Sequence, residues 1–137
     1  MKTLFLNFLT FFFALVSCNE DAEVDSNLYQ TWEAKDFMSV ESVAYPRNDN
    51  TKVLLTFTKS GTYQLKLDIN GCGGAFTSGE GNKLDIKPAA CTEICCDSKF
   101  SEKLAGMLAK VTSYHIEGKT LKLNVPQWGY IELELDE

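Results

Sequence analysis

The sequence predicts an α+β domain: a small, curved, mainly antiparallel β-sheet closing into a partial barrel, with one amphipathic helix and two disulfides. Three observations predict it. Several short runs alternate apolar and polar residues and are joined by glycine-containing turns, the pattern of half-buried strands. One segment alone switches to helical spacing. Four cysteines remain in the exported part of the chain once Cys18 is set aside.

Taken in order, the chain opens with Met1 and Lys2 and an apolar run from Leu4 to Val16, broken only by Asn7 and Thr10. The run is too short for a stable bilayer span and has the anatomy of a secretory leader over residues 1–17. It ends Leu15-Val16-Ser17-Cys18, which resembles the lipobox of bacterial lipoproteins. On that reading Cys18 is acylated, with chains such as palmitate, and becomes the first residue of the mature protein. The alternatives are an ordinary signal peptide with a chance cysteine, or a short membrane anchor. Residues 18–27 then form the lipidated cysteine and a polar, acidic tether reaching at most about 30 Å when extended. Glu20, Asp21 and Glu23 stand just after Cys18. That resembles the surface-export signal of some two-membrane bacteria, which favours the cell surface over the periplasmic face of the outer membrane.

Residues 28–137 make the domain, opening at Leu28, Tyr29 and Trp32. Val53, Leu55 and Phe57 alternate, Lys59 to Thr62 turn, and Tyr63, Leu65, Leu67 and Ile69 alternate again. This predicts a hairpin with Gln64, Lys66 and Asp68 facing water. A second hairpin is predicted from 75–77 and 84–86 around Ser78-Gly79-Glu80-Gly81-Asn82. Phe100, Leu104, Met107, Leu108 and Val111 predict a helix from Lys99 to about Lys110, capped by Asp97 or Ser98. Gly106 in its middle implies a close packing contact there. Strands return at Tyr114 and Ile116, at Leu121, Leu123 and Val125, and at Ile131, Leu133 and Leu135. Glu132, Glu134 and Asp136 form the outer face of the last strand, read as a solvated face that discourages edge pairing.

The cysteines decide more than the strands do. Cys72, Cys91, Cys95 and Cys96 are an even set, and outside a reducing cytoplasm they read as two disulfides with three possible connectivities. Consecutive Cα atoms lie about 3.8 Å apart, shorter than the usual disulfide range of about 4.4–6.8 Å, so a bridge between neighbours is strained and uncommon. Cys95 and Cys96 are therefore expected to take different partners, one each from Cys72 and Cys91. Zinc would want paired C-x(2–4)-C knuckles, which are missing, and no C-x-x-C motif for disulfide exchange occurs. His115, the single histidine, is predicted to be exposed on its strand with no nucleophile placed beside it. No cofactor or phosphate-loop motif occurs. The net charge of −6 with no basic cluster excludes nucleic acid and electrostatic adhesion to anionic lipid as partners.

The order of elements resembles the META domain, also called HslJ-like, over residues 28–136. The resemblance is carried by Trp32, Leu55-Thr56-Phe57, Gly61, Asn70 to Phe76, Lys83 to Ile86, Cys91-Thr92 with Cys95 and Cys96, the helix with Phe100, Leu104 and Leu108, and Tyr114 to Leu123. It implies a small β-rich domain with one helix, a part in stress tolerance or secretion, and no agreed enzymatic activity. The family's Asn-Cys-Asn-Arg-like turn is here Asn70-Gly71-Cys72-Gly73, and its Thr-Arg-Met-Ala-Cys-like segment is Cys91-Thr92-Glu93-Ile94-Cys95-Cys96, so the basic groups are gone and cysteines are added. A looser likeness is to lipocalin-like lipoproteins, through Trp32 and the run of antiparallel strands, and implies a small-molecule binder. The expected function is a non-catalytic, membrane-anchored envelope lipoprotein that binds another envelope protein or assists under envelope stress.

Overall fold

Alternation with glycine-bearing turns produces hairpins where the sequence places them, and the hairpins join into a ring. A computed structural model describes residues 25–137. The lipobox and Cys18 lie outside the described residues. After a 3-10 turn at Ser26–Leu28 come β1 (Thr31–Ser39), β2 (Leu54–Phe57), β3 (Thr62–Lys66), β4 (Gly71–Gly79), β5 (Lys83–Ile86) and β6 (Ala90–Cys91). Helix α1 (Lys99–Leu108) precedes β7 (Ser113–Glu117), β8 (Thr120–Val125) and β9 (Gly129–Leu135).

The strand order is β3-β2-β1-β9-β8-β7-β5-β4, and β4 pairs back with β3 to complete the ring, with β6 lying beside the start of β4. Every pairing is antiparallel. The expected curved antiparallel sheet with one helix is therefore present, and its edges meet. The β5–β7 seam is the thinnest, with one register pair, Lys83 with Ser113, and a Leu84 N–H to Thr112 carbonyl bond of 3.0 Å. Trp32, Leu55, Phe57, Tyr63, Leu65, Leu121, Leu123, Ile131 and Leu133 fill the interior, each at most 1% exposed.

Because each strand runs against its neighbours, the connections alternate between the two ends of the ring. The chain enters β1 at one end, shared with the β2–β3, β4–β5 and β7–β8 turns. Leu28 is buried there, and its carbonyl accepts from Trp32 Nε1 at 3.1 Å. Residues 40–53, the β3–β4 turn, residues 87–112 with α1, and the β8–β9 turn all lie at the other end.

Four sequence expectations are corrected. Strand β3 ends at Lys66 and the buried row at Leu67, so Asp68 turns to hydroxyl donors instead of water and Ile69 is 51% exposed instead of continuing the row. The acids of β9 guard no edge, since β9 pairs with β1 on one side and β8 on the other; Glu134 and Asp136 instead meet Lys35 and Lys52. The disulfide partners also differ. Cys72 and Cys91 are register partners across β4 and β6, with Cα atoms 4.0 Å apart, and they bond to each other, leaving Cys95 and Cys96 as a vicinal pair.

The fourth correction concerns Gly106. Helix α1 buries Phe100, Leu104, Met107 and Leu108 and is capped by Ser98, whose hydroxyl accepts from the Ser101 N–H at 3.2 Å. Gly106 lies off that buried stripe, and a Cβ built there meets nothing within 4 Å. No close contact requires the glycine. Gly106→Ala should therefore stabilise the domain by about 0.5–1 kcal/mol, through helix propensity alone. A rise in urea midpoint with an unchanged m-value checks this.

Candidate functional site at the helix-bearing end

The β3–β4 turn and the cysteine segment are held together by one buried amide. Asn70 is 8% exposed, and all four hydrogen-bonding positions of its side chain are used. Its Nδ2 donates to the Ile94 carbonyl and to Asp97 Oδ2, both at 2.6 Å. Its Oδ1 accepts from Thr92 Oγ1 at 2.7 Å and from the Ile94 N–H at 2.8 Å. Asp97 in turn accepts from the backbone N–H groups of Ile69 (2.7 Å) and Asn70 (3.2 Å). The Cys72–Cys91 bond fastens the same two segments covalently one step further along.

Asp68 ties this turn to the helix. Its carboxylate accepts from Ser101 Oγ at 2.6 Å, Ser98 Oγ and Thr51 Oγ1 at 2.5 Å, and the Ser98 N–H at 2.9 Å. Burial by itself pushes the carboxyl up; the donors from Ser101, Ser98 and Thr51 outweigh it and lower the pKa from 3.8 to about 2. A carboxyl depressed in the folded state adds stability above its unfolded pKa and loses it as pH falls through the folded one. The stability gap between wild type and Asp68→Asn should therefore be full above pH 4 and shrink as pH falls toward about 2. Urea midpoints of both proteins across that window measure it, and a constant gap would contradict the assignment.

Two isoleucines stand out from this fixed segment: Ile69 is 51% and Ile94 60% exposed. At the same end of the ring, Phe37 of β1, the 40–53 connection, α1 and the β8–β9 turn form an aromatic and charged cluster. Phe37 stacks on Phe100 at 4.6 Å and meets Tyr45 and Trp128 edge-on at 5.7 and 5.8 Å. Lys103 pairs with Glu41 at 2.9 Å and lies over the Tyr45 and Trp128 rings. The Tyr45 hydroxyl and then Lys103 hold Glu41 at a pKa of about 2. Met38, Val40 and Val43 add further exposed apolar surface, at 49%, 78% and 60%.

Of the residues singled out in the sequence, Cys72, Cys91, Cys95 and Cys96 come together at this end, and His115 does not. His115 is exposed, with Glu117 4.0 Å away as its neighbour. Among the described residues no group of three or more His, Cys, Asp or Glu side chains is arranged to hold a metal. Asn70, Asp68 and Asp97 carry no motif that marks them as a hub. A polar residue between Ile69 and Cys72, where a strand would otherwise run on, was the available clue.

The model of the META domain matches residues 26–131. The chain belongs to the META domain family. No curated protein matches it. Among solved structures, this META domain is similar to a DUF4847 family protein from Bacteroides vulgatus ATCC 8482, with 14% identity and a TM-score of 0.59 over 80% of this chain and 94% of that one. It is also similar to a protein from Burkholderia xenovorans solved by NMR, with 12% identity and a TM-score of 0.61 over 79% of this chain and 82% of that one. At these identities the likeness is one of fold.

Proposed function

We propose that this protein is a non-catalytic lipoprotein of the bacterial outer membrane, anchored by acyl chains on Cys18, whose META domain binds another envelope protein as an accessory under envelope stress. The observation that carries the binding role is the pair Ile69 and Ile94, held out in water by a segment fixed through Asn70 and a disulfide. Apolar groups on a pre-ordered backbone lose little freedom when a partner covers them. Residues 25–28 lead into β1 at the end of the ring opposite to that bearing the isoleucines. The lipocalin-like reading would need an interior cavity of roughly 300 Å³ or more. Trp32, Leu55, Phe57, Leu121, Leu123, Ile131 and Leu133 occupy that space.

Anchoring is tested in cells making the full-length chain. Labelled palmitate should enter the wild type, and Cys18→Ala should carry no label and leave the membrane fraction. Label retained by the variant would refute the lipobox. Display at the cell surface rests on the acids after Cys18. Protease added to intact cells should then digest the wild type and spare a Glu20→Gln, Asp21→Asn, Glu23→Gln variant, whereas equal behaviour would reduce those acids to a tether.

A further inference from the structure

The β4–β6 register gives Cys72 to Cys91 and leaves Cys95 and Cys96 to each other. The two pairs occupy different surroundings. Cys72 is only 7% exposed, packed in the core, while Cys95 and Cys96 are both exposed. Cys72 and Cys91 are 19 residues apart and close a chain loop; Cys95 and Cys96 are one apart and close none. Chain-entropy stabilisation scales with the loop closed, so the vicinal pair does not act as a staple for the ring. Its place is local. Asn70 grips Thr92 and Ile94 just before the pair, and Asp97 just after it.

We infer that Cys95 and Cys96 are a reversible thiol–disulfide exchange site, whose redox state sets how firmly residues 92–97 are held against Asn70. This inference stands apart from the proposed binding role. The reductant is a dithiol. One of its thiolates attacks an exposed sulfur of the pair, breaks the Cys95–Cys96 bond and forms a mixed disulfide. Its second thiolate then resolves that bond. Two electrons and two protons end on Cys95 and Cys96, and the dithiol leaves as its own disulfide. Attack at the exposed sulfur of Cys91 would have to expel a Cys72 thiolate into apolar surroundings, where burial disfavours the charge. Once opened, Cys72 and Cys91 also remain facing each other across the register and reclose. Burial does not restrain Cys95 and Cys96, which are both exposed.

The test uses the full-length protein, extracted from membranes in mild detergent and exposed to graded dithiothreitol. Thiols are trapped with iodoacetamide and located by peptide mapping, and amide hydrogen exchange is followed at Ile94. Cys95 and Cys96 should be alkylated at a dithiothreitol concentration at least about tenfold below that needed for Cys72 and Cys91, equivalent to about 30 mV. Ile94 exchange should rise in that intermediate and return on reoxidation. A Cys95→Ser, Cys96→Ser variant should keep the Cys72–Cys91 bond, show the fast Ile94 exchange without reductant, and fail to bind phenylarsine oxide, which the reduced wild type should hold through its two thiolates. All four cysteines opening together, Cys72 and Cys91 opening first, free thiols at Cys95 and Cys96 in untreated protein, or Ile94 exchange indifferent to reduction would each overturn the inference.

Discussion

Asn70→Ala should lower the unfolding free energy by about 3 kcal/mol, read from the urea midpoint at pH 7. The residue's amide satisfies the Ile94 N–H and carbonyl, the Thr92 hydroxyl and one oxygen of Asp97, all at 2.6–2.8 Å. Truncation leaves several of these groups unpaired at a site that is 8% exposed, and each bears its own desolvation cost. Asn70→Asp keeps the shape but loses both donors and sets a second carboxylate against Asp97. It should be no better than alanine at neutral pH. Recovery of wild-type stability by Asn70→Asp would show that the amide donors are not what holds the turn.

Gly129→Ala should cost about 3 kcal/mol or more, by a different mechanism. Gly129 opens β9 with φ +141°, a conformation side chains rarely adopt, and a Cβ there would overlap the Met38 carbonyl oxygen on β1. The clash is with backbone, so no rotamer change relieves it, and the strands must separate at the Ser39–Gly129 end of their register. The β8–β9 turn carries Trp128 against Phe37, so damage there reaches the aromatic cluster as well. A loss under about 1 kcal/mol would mean that β1 and β9 do not approach as closely as this register requires.

The contrast between these two residues shows what the sequence carries. Pro126 and Gly129 stand between two alternating runs and mark a turn in the sequence, but the contact of Gly129 with Met38 depends on a strand far earlier in the chain. Strands β2, β3, β5, β7, β8 and β9 and helix α1 were legible because each keeps its period within one unbroken run. Strand β1 was not traced beyond Trp32. A register shift between Ala34 and Asp36 breaks its alternation, so Trp32 and Ala34 point inward in one phase and Phe37 packs in the other. At two residues, β6 is too short for any period, yet its pairing with β4 fixes the disulfide. Adjacent cysteines alone favour separate partners, and only the β4–β6 register pairs Cys72 with Cys91. The hub at Asn70 was equally hidden, since its partners Thr92, Ile94 and Asp97 lie 22 to 27 residues away in an irregular segment.

The central proposal is that the helix-bearing end of the ring, carrying Ile69 and Ile94, is the face this META domain offers to another protein. Its most direct test places a photoreactive amino acid at position 94 of the full-length protein in intact cells. A matched sample carries it at position 59, in the β2–β3 turn at the tether end. The account predicts a discrete crosslinked heterologous product from position 94, lost when Asn70→Ala frees the segment, and none from position 59. Equal products from the two ends, or none from position 94 in lipidated and folded protein, would contradict it.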